Sequence, residues 1–342
     1  GDRGVPDDNT SQSGDGQNPS DPAKADPTNP EAPPGPVLPN IAITDVAVFQ
    51  AVKVPVVTAG AVVKPSARNA PVVANRPGLV RVYVKPAASF KAQDVTAELR
   101  LVGDDGTKFP LVKETKRISA ASTDEDPKTT FNLEIPATSV PVGVTFQVSL
   151  TGAGGEDVGA NKSDGRFPRD GSFQTLDPEV SGKLKVVVVP VKYDADGSGR
   201  VPDVSASQLE VYRKMMMSRY PASDVEISVR APYSWTTVIS RNGSGFNNVL
   251  SAMHQLRQAD KVAKDVYYYG ALAPSSSFNT FCQSGCVTGL STVVDDPNTA
   301  VMRASVGIGY AGLDSANTMA HEVGHAHGRE HAPCGGPSGV DP

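Results

Sequence analysis

Apolar and polar residues alternate in a series of short stretches between residues 41 and 150. In the stretch 79–86, valines at positions 80, 82 and 84 alternate with longer polar side chains, as in a strand with one buried face. Turn-forming sequences such as GDDGT at 103–107 separate the stretches, and helical periodicity is absent. The other stretches of this kind are 41–52, 95–103, 109–114, 129–136 and 144–150. Short strands at this spacing predict an antiparallel β-sandwich of immunoglobulin-like kind over residues 40–176.

A different pattern begins near residue 183. The apolar run 183–191 is continuous, as in a strand buried on both faces. Further strands are predicted at 225–230, 266–273, 286–294 and 304–310. Between them, apolar residues recur at helical spacing in two segments. The two stripes are Leu209, Tyr212, Met215 and Met216, which end before Pro221, and Phe246, Val249, Leu250, Met253 and Leu256. A last helix is predicted to begin near Asp314 or Ser315, each of which is a suitable N-cap. Residues 177–342 are therefore predicted to form an α/β domain with a mixed sheet.

The first 39 residues consist largely of Pro, Asp, Asn, Ser and Gly, with almost no apolar side chains. Such a segment cannot offset the entropy lost on ordering, so it is predicted to be a disordered acidic tether. It resembles the spacer that follows the lipidated cysteine of bacterial surface lipoproteins. That resemblance implies export, an extracellular or cell-surface location and a lipid anchor at the N-terminus. The alternative is an ordinary flexible terminus.

The composition argues against a nucleic-acid partner and against a membrane-spanning segment. A chain of 342 residues can hold two ordinary domains, and its formal net charge of -5 argues against a nucleic-acid partner. No apolar run approaches the roughly 18–20 residues that span a bilayer. The chemistry must therefore be sought in particular motifs.

Four of the five histidines lie within HEVGHAHGREH, residues 321–331. On a helix, His321 and His325 lie one turn apart on the same face, and Glu322 lies about a hundred degrees round from His321. Gly328 can adopt a left-handed conformation and end the helix, so that His331 returns as a third ligand. Three histidines leave one position of a tetrahedral zinc ion open for water, as in a catalytic site. The alternative is a polar surface helix with incidental histidines.

The same eleven residues resemble the zinc-binding signature of the metzincin metallopeptidases. The resemblance implies that His321, His325 and His331 bind zinc and that Glu322 is the general base. It implies a zinc-dependent endopeptidase that hydrolyses peptide bonds of extracellular proteins through a metal-activated water. The order of strands and helices from residue 183 is also similar to the metzincin N-terminal subdomain, whose edge strand pairs with an extended peptide. The candidate edge strand is 286–294, with 304–310 as the alternative.

The chain departs from the metzincin pattern after the third histidine. Metzincins carry a methionine-containing turn there, whereas only APCGGPSGVDP follows His331. The C-terminal subdomain is therefore expected to be missing or incomplete. Two other functions stay open. The β-sandwich could serve a non-catalytic surface adhesion protein beside an inactive zinc domain, or Cys334 could close a purely structural zinc site.

Other residues offer additional sites. Asp194 and Asp196 in YDADGSGR resemble the first half of a calcium-binding loop, but Ser205 stands where the closing glutamate is expected. The alternative is an ordinary Asp/Gly turn. Cys334 is expected to form a disulfide with Cys282 or Cys286, or to act as a fourth zinc ligand. The alternative is that Cys282, Cys286 and Cys334 are three unpaired buried thiols, and the sequence does not determine the connectivity. His327 is predicted to be exposed or to support the ligands from behind, and His254 to be a packed or surface histidine.

Overall fold

The computed structural model describes residues 35–294, 296 and 298–333. The predicted tether up to residue 34, and Cys334, lie outside the described residues. Val37 and Leu38 are buried, and Val37 exchanges two backbone hydrogen bonds with Glu156. The packed part of the chain thus begins earlier than the predicted boundary at residue 39, because two adjacent apolar side chains fill one end of the first core.

The first half of the described chain consists of strands. In chain order they are β1 (Ile41–Phe49), β2 (Lys53–Thr58), β3 (Ala61–Val62), β4 (Val72–Val73), β5 (Gly78–Pro86), β6 (Gln93–Val102), β7 (Val112–Ile118), β8 (Phe131–Ile135), β9 (Thr145–Gly152), β10 (Arg166–Phe167), β11 (Gln174–Thr175) and β12 (Pro178–Glu179). One sheet has the order β3-β2-β1-β5-β8 and the other the order β10-β9-β6-β7, with β11 also on β9. Every pairing within these two sheets is antiparallel.

The two sheets share one apolar core. It combines Val48 and Phe131 of the first sheet with Leu99, Val148 and Leu150 of the second, all of them inaccessible to solvent. Burial of this apolar surface supplies the main favourable free energy for packing the sheets. The predicted antiparallel β-sandwich is therefore confirmed, and its immunoglobulin-like connectivity stays a prediction.

Several strands of the sandwich differ from the sequence prediction, and the two-residue strands β3, β10 and β11 were not predicted. β7 lies at Val112–Ile118 rather than at 109–114, because it is an edge strand whose side chains alternate between half-buried and exposed. β2 was not predicted. The sequence indicated one strand over 41–52, whereas the chain turns back after Phe49 and β2 follows as a separate strand. The buried Gln50 accepts a hydrogen bond from the amide of Val73 at 2.7 Å and donates to its carbonyl at 3.0 Å. These contacts join residues far apart in sequence, which a local pattern does not encode.

The second half alternates strands and helices. The strands are β13 (Leu184–Tyr193), β14 (Val225–Val229), β15 (Tyr233–Trp235), β16 (Val266–Leu272), β17 (Gly289–Ser291) and β18 (Ala304–Ile308). The helices are α1 (Ala206–Arg219), α2 (Phe246–Ala259), α3 (Phe278–Phe281) and α4 (Leu313–Ala326). No helix among the described residues is long and apolar enough to cross a bilayer.

These strands form one mixed sheet in the order β14-β13-β16-β18-β17, with β15 also paired to β13. Only β17 is antiparallel to its neighbour, and it lies at the edge. Helices α1 and α4 pack on the face that carries Val186 and Val188, whereas α2 packs on the face that carries Val189 and Val191. The continuous apolar run of β13 is thus buried on both faces, as the sequence predicts.

The start of α4 is set by a tertiary contact. The N-cap is Gly312, and neither Asp314 nor Ser315 caps the helix, so that prediction is wrong. Gln208 of α1 accepts a hydrogen bond from the Gly312 amide at 2.7 Å and donates to its carbonyl at 3.1 Å. A side chain from a neighbouring helix therefore fixes the residue that precedes α4 and ties α4 to α1.

Candidate metal centre

Two of the three candidate ligands lie on α4. His321 and His325 are one turn apart, and their Nε2 atoms are 3.1 Å from each other. In a tetrahedral zinc site with Zn–N distances of about 2.0–2.1 Å, two ligand nitrogens lie about 3.3 Å apart. The helix alone thus brings two imidazole nitrogens to a separation suited to a shared metal ion.

The third candidate ligand is placed by the end of α4. Gly328 has φ 86°, its amide donates to the carbonyl of His325, and the amide of Arg329 donates to the carbonyl of Gly324. These two hydrogen bonds form a Schellman motif, which reverses the chain after a left-handed glycine. The reversal brings His331 back to the helix, with its ring centroid 4.7 Å from that of His325. One ligand atom from each of the three histidines lies within 4.8 Å of the others.

His325 and His321 each have a feature that suits metal binding. His325 Nδ1 lies 2.6 Å from the carbonyl oxygen of Arg329, so its N–H donates there and Nε2 keeps its lone pair for a metal. Burial lowers the pKa of His321, and the neighbouring His325 and His331 lower it further. A neutral imidazole is the form that binds metals, and the donor set therefore fits zinc.

Glu322 adds a buried carboxylate beside the three imidazoles. The side chain is only 6% exposed, and burial raises its pKa to about 8. A bound cation would lower that pKa again by favouring the charged form. The histidines and Glu322 line one cavity of about 380 Å³, and Glu330 also lines it. The cavity wall opposite α4 consists of Gly289, Leu290, Ser291 and Val293.

The order of strands in the sheet shows which of the two predicted edge strands lies at the edge beside the cavity. β17, within 286–294, is the edge of the sheet, whereas β18, within 304–310, is enclosed between β16 and β17. Gly289 is not among the candidate residues that the sequence motifs indicate. The available signal was a glycine inside a predicted strand, which marks a close approach of another group. Here that group is Glu322, because a Cβ atom on Gly289 would lie 2.5 Å from Glu322 Cγ.

Replacement of Gly289 by alanine is expected to displace Glu322 and to lower the free energy of unfolding by about 1–3 kcal/mol, as overpacking usually does. Zinc binding should remain, because the three atoms nearest to the new methyl group all belong to Glu322 and none belongs to a histidine. Gly182→Ala is the matched control, since a Cβ at Gly182 meets nothing within 4 Å. Chemical denaturation of both variants tests this, and equal stabilities would contradict the contact.

The remaining candidate residues lie away from the three histidines. Asp196 is engaged by the hydroxyl of Ser198 at 2.6 Å and by Arg200 at 2.5 Å, and these partners lower its pKa to about 2. Asp194 accepts a hydrogen bond from the amide of Gly199. The loop is thus closed by its own contacts, and calcium binding there stays a prediction. An ion would have to displace Arg200 from Asp196.

The other candidate histidines and cysteines do not belong to the metal centre. His327 stacks on Tyr267 at a centroid distance of 4.0 Å and is not part of the ligand group, and His254 lies on α2. Cys282 and Cys286 form a disulfide with each other. The predicted bond from Cys334 to either of them is therefore wrong, because both sulfur atoms already have a partner.

Comparisons with known proteins identify no family. No protein-family model and no curated protein matches the chain. Among solved structures, it is similar to a calcium-binding mutant of beta-glucuronidase 2 from Bacteroides uniformis, with 10% identity, 68% and 29% of the two chains covered and a TM-score of 0.23. A protein described as a beta-galactosidase from Bacteroides fragilis gives 13% identity, coverage of 68% and 35%, and a TM-score of 0.24. A glycosyl hydrolase family 2 member from Bacteroides cellulosilyticus gives 11% identity, coverage of 73% and 35% of the two chains, and a TM-score of 0.16.

The chain spans only about a third of the length of these solved structures. Their TM-scores lie far below 0.5, so they carry no argument about the activity of this chain.

These comparisons correct the family assignment. No family model and no curated protein matches the chain, so neither comparison supports the metzincin resemblance. The assignment to the metzincin metallopeptidases is therefore withdrawn, together with the predicted zinc endopeptidase activity on peptide bonds. The alternative of a non-catalytic adhesion protein gains no support either. The motif defines a helix and a turn that can hold a metal, and eleven residues do not identify the protein around them.

Proposed function

We propose that this chain binds one zinc ion through His321, His325 and His331 and hydrolyses a small substrate with Glu322 as proton acceptor. The observation that carries the proposal is the convergence of three imidazoles beside a buried carboxylate in one cavity. Three nitrogen ligands leave a coordination position open, which is the arrangement of catalytic rather than structural zinc sites.

Each residue would have a separate role in hydrolysis. A zinc ion supplies a Lewis acid that lowers the pKa of water and polarises an electrophilic oxygen. The hydrogen bond from His325 to the Arg329 carbonyl orients that imidazole. Glu322 would accept a proton from water at its carboxylate and return it to the leaving group. The backbone of Gly289 keeps this carboxylate in place, because nothing larger fits between them.

A metal titration with a generic ester substrate tests the proposal. The chain is stripped of metal, titrated with zinc, and assayed with p-nitrophenyl acetate. We expect about one equivalent of tightly bound zinc and an ester hydrolysis rate that rises until that equivalent is reached. A folded chain that binds no zinc would overturn the proposal. So would zinc-independent cleavage of a p-nitrophenyl β-glucuronide with no zinc-dependent ester hydrolysis.

Export of the protein is a further part of the proposal. The disulfide between Cys282 and Cys286 supports it, because such bonds persist in oxidising compartments. The formal net charge of -5 gives no support for a nucleic-acid partner. The substrate is therefore sought outside the cytoplasm, among compounds other than nucleic acids.

A further inference from the structure

A buried arginine connects the β-sandwich to the α/β layer. Arg76 follows β4 and is 3% exposed. Its Nη1 donates to the carbonyl oxygens of Tyr220 at 2.5 Å and Ala222 at 2.6 Å, and its Nη2 donates to the carbonyl oxygen of Met217. One guanidinium thus binds three carbonyls at the end of α1, more than 140 residues further along the chain.

The end of α1 needs such a donor for reasons visible in the sequence. Met217 would normally accept a hydrogen bond from the residue four positions later, but that residue is Pro221, which has no N–H. The last carbonyls of a helix also carry the negative end of its dipole, which favours a cation. Arg76 supplies both the missing donors and the positive charge.

Arg76 is itself held by the β-sandwich. The side chain of Gln50 donates to the carbonyl of Arg76 at 2.9 Å and to that of Val73 at 3.0 Å. Asn75 has φ 55°, and its amide donates to the carbonyl of Val140 at 2.8 Å. These contacts fix the loop that carries Arg76 independently of α1. The contact between Arg76 and α1 therefore costs little additional conformational entropy.

The contact continues from α1 to the helix that carries the histidines. The hydroxyl of Tyr220 donates to the carbonyl of Ala320 at 2.8 Å. A Cβ on Gly324 would lie 3.5 Å from the same hydroxyl, and the ring of His327 is 5.3 Å from that of Tyr220. Ala320, Gly324 and His327 form one stripe of α4. Tyr220 therefore supports α4 over two turns, beside the face that carries the ligands.

We propose that Arg76 is a positioning residue through which the β-sandwich holds α4 in place and thereby sets the metal affinity of the three-histidine centre. The affinity part of this inference rests on the proposed metal site. The support of α4 does not, because it follows from the Arg76 and Tyr220 contacts alone. The β-sandwich is then a brace for the metal centre as well as a separate folding layer.

Two measurements on the full chain test the brace. The first is the dissociation constant for zinc, determined by competition with a chromophoric chelator. The second is the hydrogen exchange rate of the α4 amides at 320–327 in the metal-free protein. Arg76→Met is expected to weaken zinc binding about tenfold, the lower end of the effect of removing a supporting contact. It is also expected to speed exchange in α4.

Arg166→Met is the matched control. Arg166 is 5% exposed and also donates to backbone carbonyls, those of Gly159, Asn161 and Arg169, but all three lie within the β-sandwich region. It should lower stability while zinc affinity and α4 exchange stay as in the wild type. A general loss of stability would move both variants alike, whereas the brace predicts a difference between them.

Two milder variants cover the case in which Arg76→Met does not fold. Arg76→Lys keeps the charge but loses the fork of donors, and Tyr220→Phe removes only the hydrogen bond to Ala320. Both are expected to show smaller effects of the same sign. Wild-type zinc affinity and wild-type α4 exchange in these variants would overturn the inference. A wild-type chain that binds no zinc would instead reject the metal site, and exchange in α4 would still test the brace.

Discussion

Replacement of His331 by alanine is expected to weaken zinc binding by about two to three orders of magnitude while the chain stays folded. Zinc binding free energies of about 10–16 kcal/mol at four-ligand sites correspond to about 2.5–4 kcal/mol for each ligand. His331 follows α4 and is only half-buried, so its truncation removes a ligand but little packing. Chelator competition measures the zinc affinity, and circular dichroism checks the fold.

His254→Ala is the control for this substitution. His254 lies on α2 and is not part of the histidine group. The His254→Ala variant should bind zinc as tightly as the wild type. If the two variants had the same zinc affinity, the three-histidine site would be excluded, and zinc bound elsewhere on the surface would explain any metal found.

Substitution of Glu322 by glutamine is expected to retain zinc and to lower the rate of zinc-dependent ester hydrolysis by about 10²–10⁴-fold, the usual contribution of a general base. Glutamine has nearly the same shape, so its contact with Gly289 is preserved. It cannot accept the proton from water. The measurements are zinc content and the initial rate with p-nitrophenyl acetate at saturating zinc.

Glu330→Gln provides the matched control for Glu322. Both carboxylates line the cavity, but Glu330 is exposed and lies after the turn at Gly328. The Glu330 variant should keep most of the activity. Equal rates for Glu322→Gln and the wild type would assign the reaction to a path that does not use this carboxylate. The metal site would remain, but its proposed mechanism would be lost.

The metal centre shows which features an eleven-residue motif determines and which depend on residues outside it. The helical spacing of His321 and His325 and the glycine turn that returns His331 are local, and the structure places all three as the spacing requires. The environment of Glu322 is not local. Its burial and its raised pKa depend on Gly289 of β17, which the motif does not contain. The resemblance built on these residues likewise did not extend to the family of the whole chain.

The sequence by itself determined the elements that depend on nearby residues. Alternation predicted the antiparallel β-sandwich, the continuous apolar run predicted a strand buried on both faces, and Pro221 predicted the end of α1. These features follow from periodicity and backbone stereochemistry within a few residues. They needed no knowledge of which elements become neighbours.

Tertiary structure alone decided the contacts between distant segments. Gln208 hydrogen-bonds the backbone of Gly312, the N-cap residue of α4, and Arg76 supplies donors to a helix end far along the chain. The physical reason is the same for the two side-chain contacts. A buried polar group must find a partner, and the partner is fixed by which segments pack together rather than by the sequence around the group.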